Sequence, residues 1–333
     1  MFDIITFGSA TKDIVVKPKN LTSLKYTPPS RKATAGEVSQ QVCFPFGSKI
    51  DIEEIHFNTG GGGTNTAATF AKQGFKTAFC GVVGQDLSGQ ELINELKSLK
   101  IDTRFVVKTE KKATNHSIVV LGNMKEDRTI LAYRGAAELL EKPQIPFKKL
   151  KTKWLYLAPL SGQLCDSFED LVNFAFERKI KIAVNPGLAQ LSLTRFKEIT
   201  KRIDVLILNQ EEASFLTKIP YEQEHEIFQK IDAMCPGVVV MTKGGSGVTV
   251  SDNTYLYSAV PPVDRNIVDT TGAGDAFGSG FVSEFMKTGS IESAIQLGMA
   301  NSVGCLSQIG AKQGLLKKGE GFEKAEVIKE VVQ

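Results

Sequence analysis

The sequence predicts an α/β fold: a central, mostly parallel sheet flanked by helices, with a small set of additional β-strands. Three observations predict it. Apolar runs at 154–158 (WLYLA), 180–184 (IKIAV), 203–208 (IDVLIL) and 238–241 (VVVM) read as buried strands, and helical patterns at 166–178 and 223–234 lie between them. Strands that alternate with helices imply a parallel sheet covered on both faces. Two glycine-rich turns, GGGGTN at 60–65 and TGAG at 271–274, each open onto a helical pattern. A polar, proline-bearing stretch at 17–50 and a hairpin pattern at 117–133 fall outside this alternation and supply the extra strands.

Along the chain, residues 2–8 read as a buried first strand. The stretch 17–50 carries Pro18, Pro28, Pro29 and Pro45 among many Ser, Thr and Lys, too polar for a core. It reads as an excursion with strands near 38–44 and 50–57. After the first glycine turn, Ala67, Ala68, Phe70 and Ala71 form a helical pattern, and Gly74 stands at its C-cap. Ala78, Phe79, Cys80, Val82 and Val83 follow as a strand. Ser88 with Glu91 reads as a capping box ahead of Leu92, Leu96 and Leu99. Residues 117–121 and 129–133 flank a polar stretch and predict a hairpin. Phe277, Phe281 and Phe285 recur every four residues, with Val282 and Met286 beside them; Lys287 and Gly289 then mark the helix end. The charged C-terminal text KKGEGFEKAEVIKEVVQ reads as a solvated helix face.

The 333 residues suit one large α/β domain over 1–333, with 17–57 and 103–133 contributing the extra strands. Forty basic against 37 acidic residues argue against a dedicated nucleic-acid binder. Cys43, Cys80, Cys165, Cys235 and Cys305 are scattered and form no C-x-x-C pair, so zinc and a disulfide framework are poorly supported and a reducing cytoplasm fits. MFDIITFGSA lacks the pattern of a signal peptide, and no apolar run approaches a membrane span. The expected location is cytoplasmic, with neither nucleic acid nor membrane as a partner.

The segment DTTGAGDAFGSGFV at 269–282 carries the chemistry. Gly272, Ala273 and Gly274 are small, so main-chain N–H groups there can approach a ligand closely. A helix N-terminus has unpaired donors and a partial positive charge, which suits phosphate. Asp275 follows at once. A carboxylate beside an anion site makes sense as a base that takes a proton from a nucleophile attacking a phosphoryl group. Asp in a first helical turn is also an ordinary dipole partner. In the other glycine turn, Asn65 is the side chain that both donates and accepts hydrogen bonds.

These two motifs resemble those of the ribokinase-like carbohydrate kinases, the PfkB group. The anchors are GGGGTNTAATFAKQGFKTAFCGVVG and DTTGAGDAFGSGFV. Weaker echoes are GVVGQDLSGQELINELKSLKID at 81–102, NQEEA at 209–213 and TKGGSGV at 242–248. The similarity covers most of 1–16 and 55–312. It implies a ribokinase-like fold with a β lid over a sugar site, and transfer of the γ-phosphoryl group of ATP to a hydroxyl of a small sugar or sugar derivative. A nucleoside is the alternative acceptor. It implies Asp275 as base and Gly272, Ala273 and Gly274 as the anion hole. Asp13, just after the first strand, would hold the sugar with Gly61, Gly62 and Asn65, and Arg134 and Asn185 would assist. On the nucleotide side stand Asn209, Glu212, Lys243, Gly245, Gly247 and Asn301. Glu212 would hold Mg²⁺ through water. Asp269, Thr271 and Gly310 would line a K⁺ site, with Ala311 completing its second segment. Two-stranded flaps are marginal alone, so a homodimer through the lid or a lid-closing monomer is expected, with 38–57 and 117–133 supplying the surface.

Asn209 and Glu212 equally suit the capping of a helix, and 243–247 equally suits an ordinary turn between strands. Asp269 equally suits the satisfaction of nearby backbone donors. Among other classes, an NAD-dependent oxidoreductase fits poorly: Phe277 stands at the third glycine position of G-x-G-x-x-G. A P-loop ATPase fails for want of G-x-x-x-x-G-K-[ST]. A non-catalytic sugar-binding protein on the same scaffold would be expected to lose the base, and Asp275 is present.

Overall fold

A computed structural model of the chain describes residues 1–19, 22–26, 39–122, 128–262 and 267–332. Its strands, in chain order, are β1 (Phe2–Phe7), β2 (Thr11–Pro18), β3 (Thr22–Tyr26), β4 (Ser39–Cys43), β5 (Ile52–Gly60), β6 (Thr77–Gly84), β7 (Asp102–Thr109) and β8 (Asn115–Leu121), then β9 (Arg128–Tyr133), β10 (Thr152–Leu157), β11 (Lys181–Val184), β12 (Val205–Asn209), β13 (Val238–Thr242), β14 (Val248–Ser251), β15 (Tyr255–Ala259) and β16 (Val327–Val331). Ten of these form one sheet in the order β16-β15-β14-β13-β12-β11-β10-β1-β6-β7. From β7 to β13 all neighbours are parallel, and from β13 to β16 they are antiparallel. This is the α/β architecture that the alternation of apolar runs predicts.

The side-chain alternation of a strand divides the core into two layers. On β10, Leu155 and Leu157 join Ile5, Phe7, Phe168 and Leu171 on one face. Tyr156 points the other way, into a layer with Ile4, Phe70, Phe277 and Phe281. Helix Ala273–Thr288 presents the stacked rings of Phe277, Phe281 and Phe285, and Gly289 ends it in the left-handed conformation at φ 68°. The four-residue aromatic spacing thus marks the buried stripe of this helix, as its sequence predicts.

Several boundaries differ from the expectations. The helix Leu87–Ser98 starts before Ser88: Asp86 is its N-cap, accepting from Gly89 N at 2.8 Å. The same carboxylate accepts from the main chain and hydroxyl of Thr114, so it also ties the helix to the start of β8. The C-terminal text forms a strand rather than a helix face. Val327 packs on the core, β16 pairs with β15, and Lys329 covers the rings of Tyr255 and Tyr257. Residues 102–109, counted among the extra strands by sequence, pair in parallel with β6 at the edge of the main sheet.

The second sheet has the order β5-β2-β8-β9. The hairpin β8–β9 is the one predicted, and its connection at 123–127 lies outside the described residues. The sheet begins at Thr11 rather than at 17, so Asp13 lies on a strand, opposite Asn58 and Ser117. β3 and β4 pair with each other, and residues 27–38 between them lie outside the described residues.

Phe281 is fully buried in the second layer. Replacing it with Ala should cost about 3–5 kcal/mol of stability, read as a lower urea midpoint with an unchanged slope. A loss below about 1 kcal/mol would contradict this packing.

Candidate active site

The seven parallel strands all run the same way, so one edge of the sheet collects their C-terminal ends. In such sheets that edge is the usual place for a ligand. Gly8–Ala10 carry the chain from the end of β1 into β2 of the second sheet, and β5 returns to the helix Gly62–Lys72. The strand ends, the second sheet and two helix N-termini therefore converge.

The two glycine turns meet there. Gly61 has φ 95°, and a Cβ on it would stand 2.5 Å from Ser9 O. Gly272 has φ 79°, and a Cβ on it would stand 2.3 Å from the Ala311 Cβ. Both positions therefore favour glycine by conformation and by space. Asn65, in the first helix, donates from Nδ2 to Asp275 Oδ2 at 2.9 Å. A Cβ on Gly62 would lie 3.4 Å from Asp275 Oδ1, so this glycine borders the carboxylate. Asn65 Oδ1 is buried and has no hydrogen-bond partner among the described residues. An orphaned acceptor beside the carboxylate fits a ligand hydroxyl.

Burial raises the Asp275 carboxyl above its usual range, and the Asn65 amide works against that shift. Asp13 is raised as well, chiefly by burial; Ser117 hydrogen-bonds it and the Lys312 ammonium opposes the shift. A Cβ on Gly60 would stand 2.0 Å from Asp13 Oδ2. The structure thus gathers Asp13, Gly60–Gly62, Asn65 and Asp275 into one polar cluster. Ser117 was missed by sequence reasoning. Its signal is the register that sets it beside Asp13 across two strands.

On the other side of the helix N-terminus lies a crevice of about 500 Å³. It is lined by Ala273, Gly274 and Phe277 of that helix, by Met299, Ser302 and Val303 of helix Ile291–Leu306, and by Asn209, Gly245 and Gly247. Its apolar walls and small polar groups suit a flat heterocycle. Gly274 is exposed, with nothing within 4 Å of a Cβ built on it.

The remaining expected residues divide. Asn209 and Glu212 cap helix Gln210–Thr217 reciprocally: Asn209 Oδ1 accepts from Glu212 N at 2.8 Å, and Glu212 Oε2 from Asn209 N at 2.9 Å. Burial raises the Glu212 carboxyl, and the Asn209 backbone bond opposes this. Lys243 turns to Glu224, at 3.0 Å, and to Thr249. The turn 244–246 joins β13 to β14 while Gly244, Gly245 and Gly247 line the crevice. Asn185 donates to Ile207 O at 3.1 Å. Arg134 is exposed at the end of β9.

Asn301 is a correction. It is fully buried, donates to Thr69 Oγ1 and Ala276 O, and accepts from Leu316 N, so its amide fastens two helices and the C-terminal segment. Ser302, its neighbour, lines the crevice instead. Asp269 is buried, and its oxygens accept from Thr271 N at 2.8 Å and Gly310 N at 3.0 Å. Among the described residues no group of three or more His, Cys, Asp or Glu is arranged to hold a metal ion. Among the described residues no helix is long and apolar enough to cross a membrane.

Fold and site together define an α/β protein with a glycine turn at a helix N-terminus between a crevice of about 500 Å³ and a cluster of carboxylates. The pfkB family carbohydrate kinase model matches residues 35–318, and the chain belongs to that family. It is 27% identical over 250 residues to an uncharacterized sugar kinase of Archaeoglobus fulgidus, covering 74% of this chain and 97% of that protein. It is 26% identical over 285 residues to the ribokinase of Haemophilus influenzae, covering 83% and 90%. Other relatives have names as different as deoxyribokinase, cytidine kinase and ATP-dependent 6-phosphofructokinase. The crystal structure of ribokinase from Thermotoga maritima shares the fold at a TM-score of 0.75 and 22% identity, covering 96% of this chain and 97% of that one.

Proposed function

We propose that this protein transfers the γ-phosphoryl group of ATP to a hydroxyl of a small sugar or sugar derivative. The observation that carries the reading is the Asn65–Asp275 hydrogen bond. It fixes a desolvated carboxylate beside a helix N-terminus, with Gly62 on one side and the crevice residues Ala273 and Gly274 on the other. Family membership and the names of the relatives support it.

In this reading, the acceptor lies over Gly61 and Gly62, held by Asp13 and Asn65, with Arg134 and Asn185 at its margin. Its hydroxyl gives its proton to Asp275 as its oxygen bonds to the γ-phosphorus. The bond from that phosphorus to the β–γ bridging oxygen breaks, and ADP leaves with the electron pair. The N–H groups of the 272–275 turn take up the charge of the migrating group, a contribution that is large where water is excluded. ATP occupies the crevice along Gly245 and Gly247. Glu212 would hold Mg²⁺ through water, and the ion would supply charge neutralisation to the phosphate oxygens.

A nucleoside acceptor is the second reading, supported by relatives named for cytidine and other nucleosides. A cytoplasmic location suits the ATP requirement and five free cysteines. A homodimer through the second sheet would cover Phe57, Ile118 and Leu131, which are exposed and lie in register across β5, β2, β8 and β9. Sedimentation at the monomer mass would remove that partner. K⁺ is proposed to bind on main-chain carbonyls near Asp269, Thr271 and Gly310, stiffening the anion turn.

Asp275→Asn should keep the fold and the nucleotide affinity but lower turnover by roughly 10²–10⁴, the contribution of a positioned base; near-parental turnover would sink the assignment. The base works ionised, so turnover should fall as pH drops through the raised Asp275 pKa. Asn65→Ala removes the group that opposes the shift. The acid limb of kcat should therefore move to higher pH, and a limb that stays in place or moves down would refute the role of that bond. For the monovalent ion, turnover in K⁺ should exceed turnover in a bulky organic cation at equal ionic strength. Equal rates would remove the ion and leave the kinase reading standing.

A further inference from the structure

The least expected charge in the fold is Lys312. Its side chain is 4% exposed, yet it lies in the segment just after Gly310–Ala311. Its Nζ donates to Glu95 Oε2 at 2.7 Å and to Thr59 Oγ1 at 2.8 Å, and Thr59 itself donates to Glu95. Lys72 Nζ donates to the Lys312 carbonyl at 2.9 Å. One buried ammonium therefore joins β5, the helix Leu87–Ser98 and the C-terminal segment, and the last is tied to the helix Gly62–Lys72. The group borders a polar cavity of about 140 Å³ with Asn58 and Gly310.

Thr59 is the residue before Gly60, where β5 enters the acceptor turn. Neighbouring strand residues point to opposite faces. Thr59 reaches Lys312 and Glu95 on one side, while Asn58 faces the side of Asp13, its partner across the strands. On the far side of the segment, Gly310 N holds Asp269, and Ala311 packs on Gly272. Glu95 is half-buried, so the lysine is the buried member of this pair. Such a pair contributes little net stability, and its best-attested use is to fix one arrangement.

We propose that Lys312 is a positioning residue for the acceptor: with Glu95 it pins Thr59, and through it the Asp13–Asn58 row and the Gly60–Gly62 turn, against the segment that buttresses the phosphoryl-binding turn. This rests on the kinase reading above. It concerns a residue that touches neither substrate.

The test compares Lys312→Met, Glu95→Gln and the double variant. Lys312→Met leaves a carboxylate without its partner and should lower the melting temperature by on the order of 5 °C, and the double variant should recover most of that. The acceptor KM should rise roughly tenfold in Lys312→Met and stay raised in the double variant, because Met cannot hold Thr59, while the ATP KM stays within about twofold. An acceptor KM in the double variant that matches the parent would overturn the proposal and make Lys312 a packing residue only. If the parent phosphorylates no acceptor, the kinase reading fails separately. Amide exchange then decides: faster exchange at 57–62 in the double variant upholds the clamp, and unchanged exchange overturns it.

Discussion

The hydrogen bond between Asn65 and Asp275 closes a loop of 210 residues, and the site depends on it. It joins the first turns of two helices that start from separate glycine turns. Each helix brings a partial positive charge and unpaired N–H groups to its start. Alone, each would be an ordinary anion-friendly helix end. Brought together around one carboxylate, they give a place where negative charge is stabilised beside a group that can take a proton. The glycines at 61, 62 and 272 are what allow the approach, since side chains there would meet Ser9, Ala158 or Ala311.

The cluster holds several charges out of water, and each is managed differently. Asp269 spends both oxygens on backbone N–H groups and so locks Thr271 to Gly310. Asp13 is held by a hydroxyl, with a buried cation nearby. Among the described residues Asp275 has a single amide donor, Asn65, and borders Gly62, which is why it is the one proposed as a base. The same geometry distinguishes a carboxylate tied wholly to the main chain, Asp269, from those held by side chains, Asp13 and Asp275. It also explains why Asn301 and Lys243 read as ligand groups by position and serve as ties in the fold.

Local patterns were legible in the sequence where one element decides them. The buried strands β10 to β13 show as apolar runs, and helix Ala273–Thr288 shows in the spacing of its three phenylalanines. The two glycine turns were legible because small residues at a helix start have few uses. What stayed hidden depends on pairing between distant segments. Asp13 was expected just after the first strand, but its seat on β2 between β5 and β8 was not visible. The C-terminal EVIKEVV alternates too weakly to separate a strand from a helix, and its pairing with β15 decides it. Asp86 escaped as a cap because Ser88 and Glu91 form a plausible capping box two residues later. Lys312 gave no signal, since a lysine reads as solvated until its partners at 59 and 95 are in place.

The central claim is that this cluster moves a phosphoryl group from ATP to a small hydroxyl-bearing acceptor. The most direct measurement is mass detection of products after incubation with ATP and Mg²⁺ and a panel of acceptors: ribose, fructose, phosphorylated hexoses, 2-keto-3-deoxygluconate, adenosine and inosine. ADP should appear in equal amount to one phosphorylated acceptor, and should depend on that acceptor. ADP formed at the same rate with and without every acceptor, or no ADP at all, would contradict the account.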